Sequence, residues 1–144
     1  MVLDTSGRWW RGTEFADLVE YLRALTADGY PVAEVRQSVC RCSGSVFRLL
    51  CDPDEGCAQR VCTRCGERAF LGDSAEGWAD AEPEPVLCPC GSDEAEVGVG
   101  FAERGGGEVR WITVGRRCAR CGVLGSPVAW KIDYAPTAHL RSQV

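Results

Sequence analysis

The chain has 144 residues, ten cysteines, one histidine and a formal net charge of −5. Its apolar fraction of 45% is that of a globular protein and excludes wholesale disorder. No apolar run approaches the ~20 residues a membrane-spanning helix needs, and His139, close to the C-terminus, is a poor base for a Ser/His/Asp hydrolase.

Residues 13–28 are predicted to form one amphipathic helix. Phe15, Leu18, Val19, Leu22 and Leu25 recur at helical spacing, Thr13 is placed as N-cap, and Gly29 and Pro31 end the segment. Ala33, Val35 and Val39 alternate with Glu34, Arg36 and Ser38, a strand pattern leading into the first cysteine pair. Val46 to Leu50 is a second strand-like run. Gly72 to Pro85 is acidic, contains Pro83 and Pro85, and is expected to be a linker or exposed loop. Glu96 to Glu103 and Glu108 to Val114 flank Arg104-Gly105-Gly106-Gly107, which marks a hairpin. Val128, Trp130, Ile132 and Tyr134 alternate with polar or small residues as a half-buried strand.

Met1 to Trp10 carry no apolar h-region and no small-residue cleavage site, and Asp4, Glu14 and Asp17 come early. The expected compartment is the cytoplasm, where thiols stay reduced and a high cysteine count points to metal rather than disulfides. The cysteines are ordered as an internal repeat. Cys40-Arg41-Cys42-Ser43-Gly44 matches Cys88-Pro89-Cys90-Gly91, and Cys62-Thr63-Arg64-Cys65-Gly66 matches Cys118-Ala119-Arg120-Cys121-Gly122. The two pairs are separated by 19 residues in one half and 27 in the other, a difference a hairpin loop absorbs. Each half thus offers four thiols in two tight turns, the donor set of a closed Cys₄ site.

This arrangement resembles the zinc-ribbon group of folds, in which cysteine-bearing turns at hairpin ends clamp one zinc. The resemblance covers about 28–36 residues of each half and departs from the usual pattern in having C-x-C as first knuckle. The expected fold class is α+β: an N-terminal helix and leading strand at 1–39, a zinc-ribbon-like antiparallel unit at 40–82 and a second at 83–144, able to share one compact domain. Two Zn²⁺ are expected per chain, one on Cys40, Cys42, Cys62 and Cys65 and one on Cys88, Cys90, Cys118 and Cys121. Iron suits the same four thiolates. A redox C-x-x-C is disfavoured, because glycine and strand follow each motif where a thioredoxin-like motif opens a helix. Cys51 and Cys57 are left over and are expected to be unligated thiols; a reversible disulfide across their loop, or a place as alternative ligands for the first metal, is the other reading.

Charge is uneven. Residues 1–51 are neutral, 52–96 carry −9 and 97–144 carry +4. Two Cys₄ zinc sites would bring the loaded chain to about −9. That balance disfavours non-specific nucleic-acid binding, although Arg110, Arg116, Arg117 and Arg120 lie near Trp111 and could form a local grip. The arginines of the knuckles, Arg41, Arg64 and Arg120, are expected to offset thiolate charge. Trp111 and Trp130 are expected in the core, and Trp9 or Trp10 against the helix. The expected function is a non-enzymatic protein-interaction module, of adaptor or immunity type, with an unidentified protein partner. A nucleic-acid-associated zinc ribbon is the alternative, and no membrane role is expected.

Overall fold

The structure, a computed structural model, describes residues 3–144; Met1 and Val2, at the head of the 1–39 segment, lie outside the described residues. Helix α1 spans Phe15–Thr26. Its N-cap is Glu14, not Thr13, because the Asp17 carboxylate accepts the backbone N–H groups of Thr13 (2.8 Å) and Glu14 (3.3 Å) and closes a capping box. The helix also stops short of residue 28. The Thr26 hydroxyl donates to the Leu22 carbonyl and accepts the Val32 N–H, folding the chain back at that point.

Among the described residues, eight antiparallel strands follow. They are β1 Glu34–Gln37, β2 Phe47–Asp52, β3 Cys57–Cys62, β4 Arg68–Phe70, β5 Glu84–Pro85, β6 Ala95–Glu103, β7 Val109–Cys118 and β8 Leu124–Lys131. The sheet runs β4-β3-β2-β6-β7-β8, with β1 on β6 and β5 on β2. The class is α+β, with helix α1 on an antiparallel sheet.

β2 meets β6 only at Phe47↔Ala95, while β1 occupies Gly98 to Phe101 of the same strand. The sheet bends at that single pairing, and β2–β3 packs back toward β8. Gly56, in the β2–β3 turn with φ of 75°, abuts Trp130 so closely that a Cβ would lie 2.7 Å from the Trp130 Cβ. Phe47, Leu49, Val97, Val99, Phe101, Ile112, Val114 and Trp130 fill the space between the two halves. Burying such side chains contributes about 1.5–3 kcal/mol each and is the main force closing the sheet.

Helix α1 lies on the opposite face. There Gly98 and Gly115 are cross-strand partners. A Cβ on Gly98 would meet Phe15 at 3.0 Å, and one on Gly115 would meet Leu22 at 2.9 Å. The two glycines are what lets Leu18 and Leu22 reach the sheet backbone and become fully buried.

The segment 72–85 is packed rather than a free linker. It forms a short helix, α2 Ser74–Gly77, then a 3₁₀ turn at Trp78–Asp80, then β5. The Ser74 hydroxyl accepts the Ala58 N–H at 2.8 Å, and Asp73 accepts from Trp130 Nε1 at 2.9 Å and from the Tyr134 hydroxyl at 2.7 Å. Trp78 stands edge-on to Phe70. That bond to Asp73 also takes Tyr134 out of the last strand, so β8 ends at Lys131. Conversely β7 runs past Val114 to Cys118, carrying the hairpin ladder into the second cysteine knuckle.

Candidate metal centres

Both groups of four thiols are assembled by the same backbone connections. In the C-x-C turns, Cys40 N–H donates to the Gly44 carbonyl and Ser43 N–H to the Cys40 carbonyl; Cys88 with Ser92, and Gly91 with Cys88, repeat this. In the C-x-x-C turns, Gly66 N–H donates to the Cys62 carbonyl and Gly122 N–H to that of Cys118. Each pair of turns is joined by one further bond, Thr63 N–H to the Val46 carbonyl and Ala119 N–H to the Glu94 carbonyl. The third residue after the start of each C-x-C turn has positive φ: 94° at Gly91 and 74° at Ser43, where serine tolerates a conformation that favours glycine.

Between the turns, Cys40 and Cys65 sulfurs lie 3.5 Å apart, Cys42 and Cys62 3.6 Å, Cys88 and Cys121 3.4 Å, and Cys90 and Cys118 3.7 Å. Within each group the four sulfurs all lie within 4.8 Å of one another. A disulfide needs about 2.05 Å. A tetrahedron with 2.3 Å metal–sulfur bonds has edges of about 3.8 Å. The donor set and its spacing therefore fit a tetrahedral thiolate-bound ion such as zinc, and the two groups are the cysteines that the repeat pairs.

The backbone of the cysteine turns acts on the thiols directly. The Cys65 N–H, together with that of Arg64, draws Cys62 down to about 6. Burial works against ionising Cys118, yet the N–H groups of Cys121 and Arg120 and the neighbouring thiols still bring it to about 6. In the first cluster Cys65 is pushed up to about 12: the Glu67 N–H lowers it, but the hydrogen bonds of its thiol with its neighbours, Cys40 foremost, prevail. Burial, with the Cys121 and Cys90 thiols, does the same to Cys88. Cys62 and Cys118 are thus eased toward the thiolate form while Cys65 and Cys88 hold their protons, which a metal would displace as it binds.

The knuckle arginines contribute little of this field directly. Arg41 is paired with Glu67 at 2.5 Å, and Arg64 Nη1 reaches the Cys42 carbonyl at 3.4 Å. Backbone N–H groups do more, as Arg64 N–H to Cys62 Sγ at 3.4 Å illustrates. Arg120 is exposed. The proposed basic grip is divided by the fold. Arg117 is held by Glu96, Arg116 is buried, and Arg110 lies over Tyr30, which stacks on Trp111. Trp111 is half-buried rather than core, Trp130 is core, and Trp10 packs edge-on against Tyr21 of α1 while Trp9 is exposed.

Cys51 and Cys57 stay out of both groups. Cys51 pairs with Ala58 and Cys57 with Asp52, so their side chains point to opposite faces of the β2–β3 hairpin and do not meet. Burial pushes the Cys51 thiol up to about 12, and burial followed by Asp52 and Glu55 raises Cys57. Neither is therefore a reactive thiolate. In metal-loaded native protein, a thiol reagent such as DTNB is expected to modify neither residue, whereas denaturation with chelator releases all ten thiols; mass mapping that found Cys51 modified in native protein would contradict this packing.

Two residues that carry local structure had no sequence signal: Asp73, which anchors Trp130 and Tyr134, and Gly125, opposite Arg116. His139 is exposed on a 3₁₀ turn and borders a cavity of about 670 Å³ with Asp73 and Tyr134. Comparison with protein-family models, with curated proteins and with solved structures finds no match to this chain.

Proposed function

We propose that this protein is a zinc-stabilised, non-enzymatic interaction module that works in the cytoplasm. Two copies of one zinc-ribbon-like unit, residues 40–82 and 83–144, follow the 1–39 segment. The recurrence of the same turn bonds around both thiol groups supports the repeat. The observation that carries the reading is the donor set. Four cysteine sulfurs supply all four positions of a tetrahedral ion, whereas catalytic zinc keeps one position for water or substrate.

The partner is a protein with a basic contact surface. Pairing of β5 with β2 gathers Asp52, Asp54, Glu82 and Glu84 around one concavity of about 240 Å³ with no basic residue in its lining. Such a field accelerates association with an oppositely charged surface and selects against others. Affinity capture of tagged protein is expected to return a stoichiometric basic partner that survives nuclease, dissociates as salt rises, and is lost with D54N/E82Q/E84Q. A partner retained by that triple variant at low salt would overturn the assignment.

One observation favours nucleic acid as a second reading. Arg104, Arg110 and Lys131 surround Tyr30, itself stacked on Trp111, in a cavity of about 260 Å³. Cations interleaved with aromatics are how single strands are held. Against it stands the acidic whole-chain charge, which repels phosphate at long range. Anisotropy titration at physiological salt is expected to give only non-specific affinity, ~10⁻⁴ M or weaker. Submicromolar binding lost on R110A/K131A would make this second reading the better one.

A further inference from the structure

Among the described residues, Arg116 is a buried charge without a partner. It is 5% exposed, its Nη2 has no hydrogen-bond acceptor, and it makes no ion pair among the described residues. A buried guanidinium is costly unless paired, so its unpaired state calls for a reason. The nearest titratable neighbour on β2 does not supply one: Cys51, held up to about 12 chiefly by burial, stays a neutral thiol.

The space beside Arg116 is open by construction. Its partner across the β7–β8 ladder is Gly125, next to an irregularity in that ladder. Cross-strand partners face the same side of a sheet, and a Cβ on Gly125 would meet nothing within 4 Å. The result is a cavity of about 420 Å³, within the size range of small-ligand sites. Among the described residues, Arg116 is the one charged side chain lining it. Val86, Leu87, Val123, Leu124 and Pro127 supply apolar walls, and Trp9 stands at its rim. Leu87 and Trp9 are 63% and 44% exposed, apolar surface that an occupant would cover.

We propose that this cavity binds a small monocarboxylate with an apolar body, its carboxylate paired with the Arg116 guanidinium and its chain between Leu87, Val123, Pro127 and Trp9. The site lies outside the thiol groups' interior and does not depend on the interaction reading. The ligand supplies the counter-charge that the fold withholds, and a desolvated, fork-shaped donor suits a carboxylate. The competing assignment is structural. Cys88 also borders the cavity, and Arg116 would then offset the charge of the second metal centre.

Metal-loaded protein titrated with octanoate, read by calorimetry and tryptophan fluorescence, separates the two. Saturable one-to-one binding is expected for octanoate and not for octan-1-ol. Arg116→Met is expected to weaken octanoate by about 30-fold or more, as loss of one member of a buried charge pair does. It should leave two metals per chain and leave the melting temperature unchanged or raised, because an unpaired buried charge is removed. Gly125→Leu fills the cavity without touching the charge and should abolish binding with metal content intact. Equal binding of octanoate and octanol, octanoate binding unaffected by both variants, or no saturable binding to native protein would overturn the proposal. Loss of metal or of stability in Arg116→Met would also overturn it, in favour of the structural role.

Discussion

Cys118→Ser is expected to cost the protein its second metal and its cooperative fold. Cys118 is fully buried at the end of β7, the strand that pairs with both β6 and β8 and lies under α1. A structural zinc of this kind contributes roughly 10–16 kcal/mol of apparent binding energy, comparable to or above the ~5–15 kcal/mol net stability of a whole domain. Metal analysis should fall from about two per chain to one, and the thermal transition should vanish or broaden. Cys65→Ser should lose the same stoichiometry with a milder result. Cys65 is exposed, and the strand beyond it, β4, is three residues long at the sheet edge. There the loss is expected to loosen 40–70 while the β6–β8 half keeps its transition. Acidification should release metal from both sites, since protons compete for thiolates. A Cys118→Ser chain that kept two metals and the native melting temperature would refute the ligand assignment.

Gly115→Val should detach helix α1 from the sheet. A Cβ at 115 would lie 2.9 Å from both Leu22 methyl carbons and 3.1 Å from a Leu18 methyl carbon, too close for van der Waals contact. Overpacking of a tight core typically costs about 1–3 kcal/mol. For a chain of this size that is a fall in melting temperature of roughly 3–10 °C. The cause can be isolated with a double-mutant cycle. Leu22→Ala alone opens a cavity and destabilises by about 2–5 kcal/mol. If the valine and leucine compete for the same space, G115V/L22A should be clearly less destabilised than the sum of the singles. Strict additivity would show that α1 does not dock through Gly115.

The grouping of the thiols was written in local spacing. Short cysteine pairs followed by glycine specify tight turns whatever the rest of the chain does, so the groups of four could be drawn from order alone. The same holds for α1, whose periodic apolar face is local information. The errors at the edges of elements came from side chains acting across several residues. Asp17 moved the helix start by capturing two amides, and Asp73 removed Tyr134 from the last strand by accepting its hydroxyl. The acidic segment 72–85 read as a linker because its partners, Ala58 and Trp130, lie on distant strands.

By itself the sequence determined the donor atoms, their pairing into turns, the helix and the overall charge. These depend on bonds between residues a few positions apart. The tertiary structure alone decided that the sheet bends at Phe47↔Ala95 to enclose a core, and that two glycines on neighbouring strands form a seat for α1. It also decided that Arg110, Arg116 and Arg117, close in sequence, go to an aromatic stack, the floor of an open cavity and an ion pair. The physical reason is the pleat: side chains on a strand alternate between faces. What each face meets is set by strand order, register and one irregularity in a ladder, none of which is encoded in the spacing of residues along the chain.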